Sequence, residues 1–181
     1  TIHPKIRVLR SKMTERSKVM VLNKLELLDE MDTNSSEYYK QMTWIESLLK
    51  IPFGIESKAN LQDINNEDFL VEVRNGLDKV VYGQENLKED IIASTCQWIS
   101  NSDGEGQVMA IQGPPGVGKT SIIRDGLAKV LDRPFCGVAL GGATSASFFD
   151  GFDYTYEGST YGKIVSMLIE CKCINPILYF D

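Results

Sequence analysis

Gly113-Pro114-Pro115-Gly116-Val117-Gly118-Lys119-Thr120 lies between the apolar run Val108 to Gln112 and a helical stretch, and it fits the pattern G-x-x-x-x-G-K-[ST]. The residue types follow from what a triphosphate demands. Many backbone N–H groups must point inward at once, and glycine lets the chain curl tightly enough to bring them there. The helix that follows adds the positive end of its dipole. Lys119 supplies a compact positive charge for the β and γ phosphates, and the Thr120 hydroxyl is a ligand for Mg²⁺. A triphosphate and its Mg²⁺ are therefore the expected ligands.

The companion of such a loop is an apolar strand ending in an acid. About sixty residues further on, Pro176-Ile177-Leu178-Tyr179-Phe180-Asp181 has that form, with Asp181 placed to hold the Mg²⁺. Between the two, strand and helix patterns alternate: Val108 to Gln112 as strand, Lys119 to Leu131 as helix, Phe135 to Leu140 as strand, Lys163 to Lys172 as helix and Ile177 to Phe180 as strand. That alternation predicts an α/β fold with a parallel sheet.

Upstream the chain reads as helix. Val21, Leu25, Leu28 and Met31 line one helical face, polar Thr33 to Ser36 interrupts, and Tyr38, Met42, Ile45 and Leu49 form a second stripe that Pro52 and Gly54 stop. These two segments predict a helical hairpin. The character changes after residue 58, which divides the chain into an N-terminal helical region, 1–58, and the α/β region, 59–181. Asn66, Glu67 and Asp68 predict a helix start with Gly76 as its stop, and a further helix covers about Gln84 to Ile99.

Composition excludes more than it proves. The 181 residues are 43% hydrophobic and 24% charged, ordinary values for a globular chain. No apolar run exceeds four residues, far short of the roughly 18 a membrane helix needs. The single histidine, His3, excludes a Ser-His-Asp triad, a Cys-His pair and a His-rich zinc cluster built from these residues. The cysteines (Cys96, Cys136, Cys171, Cys173) lack zinc-ribbon spacing and nothing resembles a secretory signal, so the cytoplasm or another reducing compartment is expected. The net charge of -6 hides an asymmetry: residues 1 to 24 carry seven Lys or Arg against Glu15 alone. With no aromatic interleaving, that segment reads as a solvated helix face rather than a nucleic-acid site.

Taken together, these stretches resemble the AAA+ ATPase module of Lon-type ATP-dependent proteases. The loop with Ser121 after it has the Lon form. Tyr39 through Trp44-Ile45-Glu46-Ser47-Leu48-Leu49 to Pro52-Phe53-Gly54 is similar to the Lon stretch that joins the N-terminal helices to the ATPase. Tyr82-Gly83 followed by Lys88-Glu89 resembles the Lon pattern His-Tyr-Gly-x-x-x-x-Lys-Glu, and Leu140-Gly141-Gly142 matches its Leu-Gly-Gly. Gly151 to Ile164 lines up without a gap with the Lon segment Gly-His-Arg-Arg-Thr-Tyr-Val-Gly-Ala-Leu-Pro-Gly-Arg-Ile.

The resemblance implies a P-loop AAA+ parallel sheet, here its N-terminal part, preceded by helices. It implies an adenine pocket lined by Val80, Val81 and Tyr82, phosphate binding by Gly113, Pro114, Pro115, Gly116, Val117, Gly118, Lys119, Thr120 and Ser121, and metal binding by Thr120 and Asp181. Tyr156 would be the pore-loop paddle that grips an extended polypeptide. The implied assembly is a homo-oligomeric ring, a hexamer, that unfolds protein substrates and passes them to a Ser-Lys peptidase domain further along; a Ser-Lys dyad needs no histidine. In AAA+ sheets a later strand lies between the phosphate-loop strand and the one ending in the metal Asp, so a longer polypeptide is expected. Four positions depart from the Lon pattern in character: Asp153 and Tyr154 replace two arginines, Glu157 replaces an apolar residue and Tyr161 a proline. An ATP-gated remodelling or scaffold protein without peptidase activity fits the same residues.

Overall fold

The computed structural model describes residues 2–57, 66–100, 106–142, 145–151 and 161–181. These form two compact units. One comprises Thr1–Glu56 with Cys136–Asp181, the other Ser57–Phe135.

In the first unit, α1 (Pro4–Arg10), α2 (Glu15–Asp29) and α3 (Ser36–Leu48) enclose a small core of Val8, Met13, Val21, Leu25, Leu28 and Ile45. Both stripes read from the sequence face this core, with Met31, Tyr38, Met42 and Leu49 at its margin. Each fully buried aliphatic side chain contributes roughly 1.5–3 kcal/mol. Both long helices are capped: Thr14 Oγ1 accepts from Ser17 N at 3.2 Å, and Ser35 Oγ, in the polar interruption read from the sequence, accepts from Tyr38 N at 3.1 Å. The basic α1, which no stripe announced, begins at Pro4 and is held by an ion pair from Lys5 Nζ to Asp29 at 2.6 Å. Gly54 ends the hairpin at φ +61°, and Lys12 Nζ donates to its carbonyl at 3.1 Å.

The same unit holds the sheet, apart from Phe135 at the start of its first strand. β1 (Phe135–Val138) and β2 (Ile177–Phe180) are neighbours. Asp181 N donates to Val138 O at 2.9 Å and Leu140 N to Asp181 O at 2.5 Å, the staggered pattern of a parallel pair. A 3₁₀ turn (Leu140–Gly142), the short α8 (Ser147–Asp150) and α9 (Lys163–Cys171) lie between the strands in sequence. The architecture is α/β, mostly helical, with a small parallel sheet.

The second unit contains α4 (Asn66–Val80), α5 (Glu85–Ser100) and the helix that follows the glycine loop. That helix starts as α6 (Lys119–Ser121), widens into a π-helical segment (Ile122–Leu127) and closes with α7 (Ala128–Val130). Phe69, Val73 and Leu77 of α4 are buried, as are Ile91 of α5, Ile122, Ile123, Ala128 and Leu131. Two expectations need correction. Gly76 does not stop α4, which runs on to Val80: a Cβ at Gly76 would stand 2.2 Å from Val130 Cγ2, so glycine is there for close helix packing. Val108 to Gln112 has no strand pairing among the described residues, and Val108 is 99% exposed. A strand is defined by its ladder, and among the described residues none pairs with these.

Candidate functional site

The glycine loop leads straight into α6. Gly116 (φ +81°) and Gly118 (φ +87°) both take the left-handed backbone that L side chains avoid. A Cβ at Gly116 would meet nothing within 4 Å, so the loop is open on that side. Ile122 N donates to Gly118 O at 2.9 Å, which starts the helix at the loop's last glycine. Lys119 folds its ammonium back over the loop, where Nζ donates to the carbonyls of Gly113 at 2.8 Å and Pro114 at 2.9 Å. The loop thus holds its own cation in place. Two left-handed glycines, an open face and an inward-turned lysine fit a phosphate chain and its counter-ion.

The segment expected at the base of a nucleotide is brought to this loop. A Cβ on Gly118 would lie 3.1 Å from Val81 Cγ2, so Val81 packs against the loop's last glycine. Tyr82, next in sequence, is 102% exposed. Val80 closes α4, and the turn to α5 passes through Gly83 (φ +70°) and Gln84 (φ +59°). Ser121 is half-buried in the first turn after the loop.

The two helices that flank that turn carry a charge cluster that sequence reading missed. Lys88 is 2% exposed, and its Nζ reaches Asp78 at 2.6 Å and Glu85 at 3.6 Å. Arg74 pairs with both Asp78, at 3.5 Å, and Glu85. The hydrogen bond from Lys88 holds the Asp78 carboxyl below its ordinary value. The spacing was there to be read: Arg74 and Asp78 are i,i+4, and Glu85 and Lys88 are i,i+3. Nothing in the spacing announces that the lysine is buried.

Lys119 and Thr120 belong to the second unit, Asp181 to the first. Asp181 is exposed at the carboxyl end of β2, tied to β1 through both backbone groups. Tyr156 lies outside the described residues, as do Asp153, Tyr154 and Glu157; the flanking Gly151 and Tyr161 are joined by an antiparallel bridge. Among the described residues no group of His, Cys, Asp and Glu forms a metal cluster, and no helix is long and apolar enough to cross a membrane.

No protein-family model matches the chain. Among curated proteins it is 33% identical over 167 residues to the Lon protease of Mycoplasma genitalium, covering 92% of this chain and 20% of that protein. It is 32% identical over 164 residues to a Lon protease homolog of Acanthamoeba polyphaga mimivirus, covering 87% of this chain and 16% of that protein. The human mitochondrial Lon protease homolog is 31% identical over 182 residues, or 96% of this chain and 18% of its own length. The chain belongs to the Lon protease family. It spans about a fifth of the length of the curated relatives it matches.

Proposed function

We propose that these residues bind and hydrolyse ATP as part of an AAA+ motor in a Lon-like ATP-dependent serine protease, with helices 1–58 leading into an ATPase region over 59–181. The observation that carries the reading is the loop Gly113–Thr120, with its left-handed Gly116 and Gly118, Lys119 turned onto the loop carbonyls, and Val81 packed on Gly118. Bound ATP with Mg²⁺ supplies the cleavable phosphoanhydride. The loop amides orient the phosphate chain, with Ser121 at its helical end. Lys119 exchanges its two carbonyl partners for phosphate oxygens, a charge-assisted contact stronger than the neutral one it gives up. The Thr120 hydroxyl and the Asp181 carboxylate are the metal-holding groups. Val80, Val81 and Tyr82 offer an apolar wall and a ring to the flat base. Tyr156 grips the polypeptide substrate in the pore of a homo-hexameric ring, and unfolded protein passes to a peptidase domain.

The test is ATP turnover by the full-length protein with and without an unfolded protein such as casein. We expect turnover that rises with casein and not with DNA, loss of at least 100-fold in Lys119→Ala (~2.7 kcal/mol of transition-state stabilisation), and ATP-dependent casein breakdown. Turnover that rises with DNA alone, or that survives in Lys119→Ala, overturns the proposal.

A further inference from the structure

We propose that Lys88 is a positioning residue for recognition of the nucleotide base, acting through the turn at residues 81–84. The inference rests on reading the Gly113–Thr120 loop as the phosphate site.

A lysine ammonium is costly to bury, and Lys88 is all but closed off from solvent. Its side chain crosses from α5 to the last turn of α4, where Asp78 receives it at 2.6 Å, while its backbone N donates to Gln84 O at 3.1 Å. The Lys88 ammonium therefore ties the start of α5 to the end of α4 across the turn. Arg74 ties Asp78 and Glu85 from the outside, so two charges on α4 and two on α5 clamp the four residues between them. That turn is not one the chain adopts readily, because Gln84 follows Gly83 into the left-handed region without being a glycine. Released from the clamp, it has reason to relax.

What the turn presents is specific. Val81 is set against Gly118 of the phosphate loop, and the Tyr82 ring stands wholly in solvent beside it. An aromatic ring left in water next to a phosphate site suits a flat heterocycle that stacks on it. Among the described residues the clamp's ionic partners lie on α4 and α5 and none on the glycine loop, so its effect on the ligand runs through the turn.

The experiment compares ATP with inorganic tripolyphosphate, which has the phosphates and no base, by calorimetric titration of the full-length protein and of Lys88→Met. Methionine keeps the buried stem, and the half-exposed Asp78 and Glu85 keep Arg74 as a partner. We expect Lys88→Met to weaken ATP roughly tenfold, the scale of one aromatic–base stack, and to leave tripolyphosphate within twofold. Asp78→Asn, altered at the surface end of the clamp, should show the same base-selective loss. In a Tyr82→Ala background, Lys88→Met should add less than twofold, because the contact it positions is already gone. Equal weakening of both ligands, or a full second loss in the Tyr82→Ala background, overturns the role of Lys88. So does unchanged ATP binding in Lys88→Met, which leaves the phosphate site standing. A wild-type protein that binds neither ligand overturns the phosphate site and this inference together.

Discussion

Gly76→Ala is the sharpest probe of the helix crossing that sets Val81 against the glycine loop. In a regular helix the substitution stabilises by about 1 kcal/mol, since alanine loses less backbone freedom than glycine. Here the new methyl stands 2.2 Å from Val130 Cγ2, well inside the roughly 3.5–4.0 Å of carbon–carbon contact. Val130 cannot swing away cheaply, because a β-branched side chain in a helix has one strongly preferred rotamer. Overpacking of this kind costs roughly 1–3 kcal/mol, so the net effect is a destabilisation of about 1 kcal/mol. In a Val130→Ala background the clash is gone and the same substitution should stabilise by about 1 kcal/mol, a coupling of about 2 kcal/mol between the two sites. The assay is urea unfolding followed by Trp98 fluorescence in a Trp44→Phe background. Trp98 reports on this unit, because Arg133 lies over its ring at 3.7 Å. A stabilisation of about 1 kcal/mol in both backgrounds would refute the close packing of α4 on α7.

Four further outcomes are expected. Gly118→Ala forces a methyl into a φ of +87° and to 3.1 Å from Val81, and should weaken ATP at least tenfold in a nucleotide titration. Asp132, at φ +47°, ends the helix with Arg133 N donating to Ala128 O at 2.9 Å, a Schellman cap without its usual glycine; Asp132→Gly should raise stability by roughly 0.5–1 kcal/mol in the same urea assay. Asp29, Asp78 and Asp125 are each held below the ordinary 3.8 chiefly by hydrogen bonds from Lys5, Lys88 and Arg124. The folded chain therefore binds fewer protons than the unfolded one, and stability present at neutral pH is lost as pH falls from about 5 through the folded values. Asp78→Asn should flatten that acid limb. The Cys171 thiol is pushed up to about 12, first by burial and then by the neighbouring Cys136. At pH 8.5 its alkylation, read by peptide mass spectrometry, should be far slower in the folded chain than in urea, and equal rates would contradict the burial.

Local chemistry and long-range packing were unequally legible in the sequence. The glycine loop, the following helix and the two hairpin stripes are written in residue type and spacing, and the structure has each of them where the pattern put it. Gly76 was misread because a glycine after an amphipathic run looks like a stop; only the approach of Val130, more than fifty residues later, explains it. Val108 to Gln112 looked like a strand from its own composition, but pairing is a property of two segments. The parallel pairing of β1 with β2 was legible only as an alternation of types. At the site, Lys119, Thr120 and Val81 belong to one unit, Asp181 follows its strand in the other, and Tyr156 lies outside the described residues. The Lys88 clamp was hidden because burial of a charge is decided by the elements around it, not by its own neighbours in sequence.

The π-helical segment Ile122–Leu127 has a consequence for how this family can vary in length. Ala128 N donates to Ile123 O, five residues back rather than four, so this stretch of helix carries one residue more than an α-helical path would need. Arg124, exposed on the outer side of that stretch, is the natural residue to lose. Removing it would let the segment close to α geometry while the loop before it and the cap after it keep their facing. A one-residue gap in an alignment of relatives, falling between the glycine loop and Ala128, would then mark a tightened turn rather than a different fold.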